Sequence, residues 1–109
     1  YTYGFLTNRL TFNQLVNVFS TQPAKLFGLY PHKGEIAENS DADLVVWDPD
    51  REKTITSKTQ HQNCDINIYE GMPVKGKADY VIAGGNVIIE NGQLSDRKQT
   101  GKYLFRTIG

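Results

Sequence analysis

Four consecutive apolar residues, Leu44-Val45-Val46-Trp47, are the least ambiguous element of the hydrophobic pattern. They lie between the turn formers Asn39-Ser40-Asp41 and the strand breaker Pro49. A half-exposed strand alternates apolar and polar positions, whereas a continuous apolar run indicates a strand that is buried on both faces. The pattern therefore predicts a strand over 44–48, broken at Pro49, with a packing layer on each side.

Upstream of this strand the apolar spacing is helical. A capping box begins at Thr11, and the apolar residues that follow it predict a helix over about 12–19. A second short helix is predicted directly after it, with Thr21 as its N-cap, Pro23 in its first turn and Gly28 at its end. Two short helices are thus expected almost end to end.

Downstream of the helices the period of the pattern changes to two, which is typical of strands. A short strand is predicted over 35–38 and another over 53–56. Gly84-Gly85 and Asn91-Gly92 supply the positive φ that two-residue hairpin turns require. Three strands of a tight meander are therefore predicted within 78–94.

Four segments show no period. Residues 1–10 are typical of a loop with aromatic anchors, and 57–72 is a polar connection of about sixteen residues, a length that is usually functional or packed against another body. Residues 95–101 are polar and predicted to be mobile, and 102–106 form an apolar tail without an evident partner. Because the chain also begins without Met, we expect a piece of a longer polypeptide.

Composition excludes several classes of function. Twelve Lys and Arg balance twelve Asp and Glu without a local basic stripe, so no nucleic-acid partner is expected. No apolar run approaches the ~20 residues of a membrane helix. Cys64 is the only cysteine, which favours an inert thiol and a reducing, cytoplasmic setting. A chain of 109 residues has room for one core.

Two pairs of carboxylates are candidates for chemistry. Asp41 and Asp43 are two residues apart, so on a strand both would project to one side, as an acid–base or metal-binding pair requires. Carboxylates before a strand more commonly close turns by accepting hydrogen bonds from backbone amides, and this interpretation is preferred. Asp48 and Asp50, on either side of Pro49, have the same explanation.

The chain lacks a convergent set of reactive groups. His32 and His61 are its only histidines, and a hydrolytic metal site needs at least three protein ligands. No nucleophile elbow, phosphate-binding loop or dinucleotide fingerprint occurs. We therefore predict no catalytic, cofactor-binding or metal-binding residue in this chain, and the large apolar side chains are assigned to packing: Trp47, Phe19, Phe27 and Leu26.

Several motifs carry a family resemblance. STQPAKLFGLYP at 20–31, KGEIA at 33–37 and SDADLVVWDP at 40–49 resemble the C-terminal part of the dihydropyrimidinase and D-hydantoinase group of cyclic amidohydrolases. The match continues in order through KTI at 53–55, YEGM at 69–72 and GKY at 101–103. Asn8 and Asn39 stand where the family usually has glycine, and His61-Gln62 where it usually has two histidines. Asparagine tolerates positive φ, so both turns can survive.

The resemblance implies a mixed α and β fold. Residues 1–30 would be the end of a (β/α)8 barrel, with one or two short helices, and 31–94 the C-terminal part of a β-sandwich. Residues 95–109 would form an arm that contacts another subunit.

The resemblance also implies an activity. The intact enzyme would hold two zinc ions bridged by a carboxylated lysine and hydrolyse the ring amide of hydantoins or dihydropyrimidines to N-carbamoyl amino acids, as a cytoplasmic homotetramer. The family's metal ligands and oxyanion-stabilising tyrosine precede the matched region, so none transfers to this chain. Two alternatives stay open: a non-catalytic relative of the collapsin response mediator type, which binds and assembles cytoskeletal components, and an independent small β module.

Overall fold

The computed structural model describes residues 1–96 and 101–107. It contains one helical segment and a four-stranded antiparallel sheet, which confirms a mixed α and β fold. In chain order the elements are α1 (Phe12–Val16), a π-helical turn (Asn17–Thr21), α2 (Gln22–Leu26), β1 (Leu44–Thr54), a 3-10 turn (Ser57–Thr59), β2 (Pro73–Ala83), β3 (Asn86–Glu90) and β4 (Gln93–Leu94). Over the described residues, no helix combines the length and apolar character needed to cross a lipid bilayer.

The helical segment begins as predicted. The Thr11 hydroxyl accepts a hydrogen bond from the Gln14 N–H at 3.2 Å, and Gln14 Oε1 accepts one from the Thr11 N–H at 2.9 Å. These two bonds complete the capping box and satisfy two amides that a helix N-terminus otherwise leaves unpaired.

The prediction of two separate helices is wrong. Thr21 has helical backbone angles and makes no capping bond, and the helical backbone runs without a break into α2. Proline lacks an N–H and its ring crowds the carbonyl four residues earlier, so a regular α-helix cannot pass Pro23. A wider π-helical turn accommodates it, with the Gln22 N–H donating to the Asn17 carbonyl five residues back.

The helix ends at Gly28, as predicted. Gly28 has a φ of +69°, the Leu29 N–H bonds the Ala24 carbonyl at 2.8 Å, and the Gly28 N–H bonds the Lys25 carbonyl at 3.1 Å. This pair of bonds is the Schellman motif, which requires a left-handed residue and therefore favours glycine.

β1 is longer than the sequence predicts. It pairs antiparallel with β2 from Leu44 to Thr54, with an irregularity between Asp48 and Glu52. Pro49 lies in that irregularity on an edge strand. Its lack of an N–H therefore removes no hydrogen bond between the strands. Strand breakage at Pro49 and a separate strand over 53–56 are therefore both wrong.

The predicted meander is confirmed. β2 and β3 are joined by Gly84-Gly85, and β3 and β4 by Asn91-Gly92, with positive φ at all four residues. The predicted strand over 35–38, in contrast, is absent: these residues form an irregular stretch between a bend and a turn, and Ile36 is 88% exposed. Positive φ at the residues that flank it, Gly34 and Asn39, turns the backbone away from an extended path.

Little of this chain is buried. Ala24 is the only buried hydrophobic residue among those described. Val45 in β1 is 58% exposed, so the described residues do not supply the packing layers predicted for this strand. The packing assignment stays a prediction for three side chains that the described residues leave more than half exposed: Phe19, Leu26 and Phe27. One sheet and one helical segment cannot cover both faces of either layer.

The N-terminal loop is confirmed and docks on the sheet. The Thr2 hydroxyl accepts from the Lys75 N–H and donates to the Lys75 carbonyl, each at 3.0 Å. The Tyr1 ring meets the Trp47 indole edge-on, with centroids 5.6 Å apart. Trp47 therefore does serve packing, as predicted.

The long connection over 57–72 is confirmed as a loop closed at its base. The Gly71 N–H donates to the Ile55 carbonyl at 2.8 Å, and the Ile55 N–H to the Met72 carbonyl at 3.0 Å. Beyond this base the loop exposes three apolar side chains: Ile66, Ile68 and Tyr69.

The apolar tail stays exposed, as expected, with Tyr103 81% and Phe105 87% exposed, and the chain after it makes a backbone contact. The Thr107 N–H donates to the Gly28 carbonyl at 2.9 Å, and Leu104 lies beside the segment that follows α2. Most of the segment predicted to be mobile, 97–100, lies outside the described residues.

Candidate functional site

The carboxylates of Asp41 and Asp43, which the sequence indicated by their spacing, both form ion pairs with Lys33. Lys33 Nζ lies 2.8 Å from Asp41 Oδ2 and also pairs with Asp43 Oδ2. The second oxygen of Asp43 accepts a hydrogen bond from the Gly84 N–H at 2.8 Å. We name Lys33, Asp41, Asp43 and Gly84 the Lys33 clasp. Its carboxylates bind Lys33, and Asp43 also accepts a backbone amide 41 residues away, so neither closes the local turn that the sequence predicts.

The Lys33 clasp joins distant parts of the chain. Besides its ion pairs, the Asp41 N–H donates to the His32 carbonyl at 2.8 Å, and the Gly85 N–H donates to the Ala42 carbonyl at 3.0 Å. The segment before β1 is thereby bonded to the β2–β3 hairpin turn. The arrangement positions the start of β1 relative to the sheet.

The pKa values of Lys33 and Asp43 are both shifted away from neutral pH. The hydrogen bond from Lys33 and then that from the Gly84 N–H lower the pKa of Asp43 below its ordinary value. Hydrogen bonds to Asp41 and then to Asp43 raise the pKa of Lys33. A general acid or base works best with a pKa near the operating pH. These groups are tuned in the opposite direction, which favours a structural role.

In the second carboxylate pair, the Asp48 side chain does close a turn, as preferred from the sequence. Asp48 Oδ1 accepts the Asp50 N–H at 3.0 Å. Arg51 Nε lies 3.3 Å from Asp48 Oδ2 and 3.8 Å from Asp79 Oδ1, which is buried without a hydrogen-bond partner. Sequence reasoning missed Asp79, because only strand pairing brings it to Arg51.

The structure does not bring the remaining candidates into one site. His32, His61 and Cys64 are all exposed, and the Cys64 thiol donates to the Ile66 carbonyl at 3.5 Å. Within residues 1–96 and 101–107, no three His, Cys, Asp or Glu side chains are grouped so that they could hold a metal ion. The absence of catalytic residues stays a prediction.

Comparison with known proteins places the chain in a family. The profile of the amidohydrolase family matches residues 3–88. The chain belongs to the amidohydrolase family. It is 42% identical to a D-hydantoinase of Geobacillus stearothermophilus over 103 residues, which are 94% of this chain and 22% of that protein. It is 43% identical to a dihydropyrimidinase of Rattus norvegicus over 103 residues, 94% of this chain and 20% of the relative.

The backbone supports the same relationship. This amidohydrolase chain superposes on the solved D-hydantoinase (dihydropyrimidinase) of Thermus sp. with a TM-score of 0.89 and 47% identity. The superposition covers 95% of this chain and 23% of the chain of the solved structure. The chain thus spans about a fifth of the length of the curated relatives it matches. The resemblance to D-hydantoinases and dihydropyrimidinases is confirmed.

Related proteins of another name also match. Dihydropyrimidinase-related protein 5 of Homo sapiens is 43% identical over 100 residues, 92% of this chain and 18% of that protein. The sequence identity over this segment is therefore similar for the D-hydantoinase and dihydropyrimidinase relatives and for this dihydropyrimidinase-related protein.

Proposed function

We propose that this amidohydrolase chain is the C-terminal segment of a zinc-dependent cyclic amidase. The whole enzyme would hydrolyse the ring amide of hydantoins or dihydropyrimidines and release N-carbamoyl amino acids. The observation that supports this proposal is the continuous match in sequence and backbone, over 95% of the chain, to a solved D-hydantoinase.

The described residues do not fit a site for two zinc ions. They contain no cluster of three candidate ligands, and the best-placed carboxylates, Asp41 and Asp43, are already paired with Lys33. A zinc site needs at least three protein ligands. The two zinc ions of the proposed enzyme would therefore be held by residues outside this chain, and this segment would act through packing.

The proposed role of the segment is to join two domains. We assign 1–30 to the end of a (β/α)8 barrel, 31–94 to the C-terminal part of a β-sandwich and 95–109 to an arm at a subunit contact of a cytoplasmic homotetramer. The exposed apolar residues on the helix and on β1 support this assignment, since such surface is normally covered. The Lys33 clasp lies near the proposed junction.

The enzyme is preferred to the non-catalytic binding and assembly protein. Solved structures similar to this chain carry the names hydantoinase or dihydropyrimidinase. The independent β module is disfavoured because the single sheet leaves apolar side chains exposed on β1. A His-x-His pair upstream of Tyr1 is expected for the enzyme and not for the non-catalytic relative.

The test is ring opening by the full polypeptide that contains this chain. After purification with zinc, it is incubated with hydantoin and with dihydrouracil, and N-carbamoyl products are measured. We expect hydrolysis of at least one ring, together with two zinc ions per subunit by metal analysis. A folded, zinc-loaded protein that opens neither ring would reject the proposal.

A further inference from the structure

The structure gathers basic side chains that are far apart in the sequence. Lys53 at the end of β1, Lys58 in the 3-10 turn, His61 just after it and Lys77 in β2 line one groove of about 590 Å³. We name it the basic groove. The chain as a whole has no net charge, so this concentration of positive charge is local.

The charges of the basic groove are not neutralised by the described chain. No Asp or Glu among the described residues lines the groove, and none of its three lysines has a carboxylate within salt-bridge distance there. Two other lysines of the chain differ in this respect: Lys33 is paired with two aspartates, and Lys25 lies 4.9 Å from the Tyr30 ring. Like charges that converge in a cleft raise its potential and attract counter-ions.

The rest of the groove suits an oxyanion. Side-chain amides of Asn91 and Gln93, which line it, supply neutral hydrogen-bond donors. Lys77 Nζ would lie 3.0 Å from a Cβ atom on Gly92, in the positive-φ turn before β4. The lack of a side chain at Gly92 therefore makes room for the Lys77 ammonium group in the groove.

We propose that the basic groove binds a small multivalent oxyanion, one that carries several phosphate or carboxylate groups. Three separate ammonium groups match an anion with several charged oxygens better than a monovalent one. The groove volume is larger than a single phosphate needs, which favours a polyphosphate or a polycarboxylate. This inference does not depend on the proposed amidase activity.

Calorimetric titration of the full polypeptide tests the proposal, with pyrophosphate and citrate as probes at constant ionic strength. Saturable binding of either probe is expected, and the comparison of the two distinguishes phosphate from carboxylate chemistry. Lys53→Gln with Lys77→Gln should weaken binding roughly tenfold, because two of the three ammonium groups of the groove are lost. Circular dichroism checks that the double variant folds, and Lys58→Gln serves as a second variant outside the sheet.

The matched control removes two lysines elsewhere, Lys25→Gln with Lys102→Gln, and should change affinity by less than about twofold. Equal weakening in both double variants would show diffuse charge attraction and overturn the proposal. Failure of the wild-type protein to bind either probe, as expected if another part of the polypeptide fills the groove, would also overturn it.

Discussion

The indole of Trp47 lies directly against Gly76, so that a Cβ atom at residue 76 would come within 2.4 Å of Trp47 Cζ2. Gly76 also has a φ of +91°, which L side chains rarely adopt. β1 and β2 therefore approach closely at this point only because residue 76 has no side chain. The Tyr1 ring contacts the same indole, so the contact also holds the N-terminal loop.

Gly76→Ala is expected to destabilise the protein through both strain and overpacking. Positive φ costs about 1–2 kcal/mol and overpacking typically about 1–3 kcal/mol, so a loss of roughly 2 kcal/mol or more is expected. Urea unfolding of the full polypeptide measures it. Gly84→Ala is the matched control, because Gly84 has a φ of +55° but no heavy atom within 4 Å. Equal losses in the two variants would contradict a role for the indole contact.

The Lys33 clasp is expected to respond differently to two substitutions of Asp43. Asp43→Asn keeps an oxygen for the Gly84 N–H but loses the charge that faces Lys33. Because the Asp43 side chain is 40% exposed, this loss should cost only ~0.2–1 kcal/mol. Asp43→Ala also removes the hydrogen-bond acceptor and should cost about 1 kcal/mol more, by the same urea measurement. Identical stability of both variants would argue against the bond to Gly84.

Acid should weaken the clasp in a defined pH range. The pKa of Asp43 is lowered in the fold, so its contribution to stability is fully present above its ordinary value of 3.8. The contribution is lost as the pH falls from there through the lower folded pKa. The pKa of Lys33 is raised above 10.5, so its contribution is present below that value and lost as the pH rises through the folded pKa. Stability of the wild type minus that of Asp43→Asn, measured against pH, should fall only below about pH 4 within the acid range.

Two substitutions of Thr21 test whether its hydroxyl donates to Gly34, as the structure shows, or caps a helix, as the sequence predicts. The Thr21 hydroxyl donates to the Gly34 carbonyl at 2.7 Å. Thr21→Ser keeps this donor and should be nearly neutral, whereas Thr21→Asp cannot donate when ionised and should cost about 1–3 kcal/mol. At an N-cap, aspartate is as good as serine, so equal stability of the two variants in urea would support the cap instead.

The 109-residue chain by itself is expected to associate. Its described residues bury one hydrophobic side chain and expose many large ones, and β1 is an unpaired edge of the sheet. Analytical ultracentrifugation should show concentration-dependent oligomers, and metal analysis no stoichiometric zinc. A monomer with a sharp, concentration-independent melting transition would favour the independent β module.

Local features were predictable because short stretches of sequence determine them. The capping box at Thr11, the Schellman end at Gly28 and the Gly84-Gly85 hairpin depend on neighbouring residues with the required donors or positive φ. The turn-forming role of Asp48 follows from the same local chemistry. Family membership was also predictable, since the motifs at 20–31, 33–37 and 40–49 lie close together in the sequence.

Features that depend on contacts between distant residues required the tertiary structure. Whether Pro49 ends a strand depends on the strand beside it. The Thr21 hydroxyl donates to the Gly34 carbonyl, and not to a helix N-terminus, because Gly34 folds back onto the helix. Lys53 and Lys77 are 24 positions apart, and strand pairing brings them to one groove. The sequence pattern reports the local propensities of neighbouring residues. Burial and the grouping of charges arise only when distant segments pack together in the folded chain.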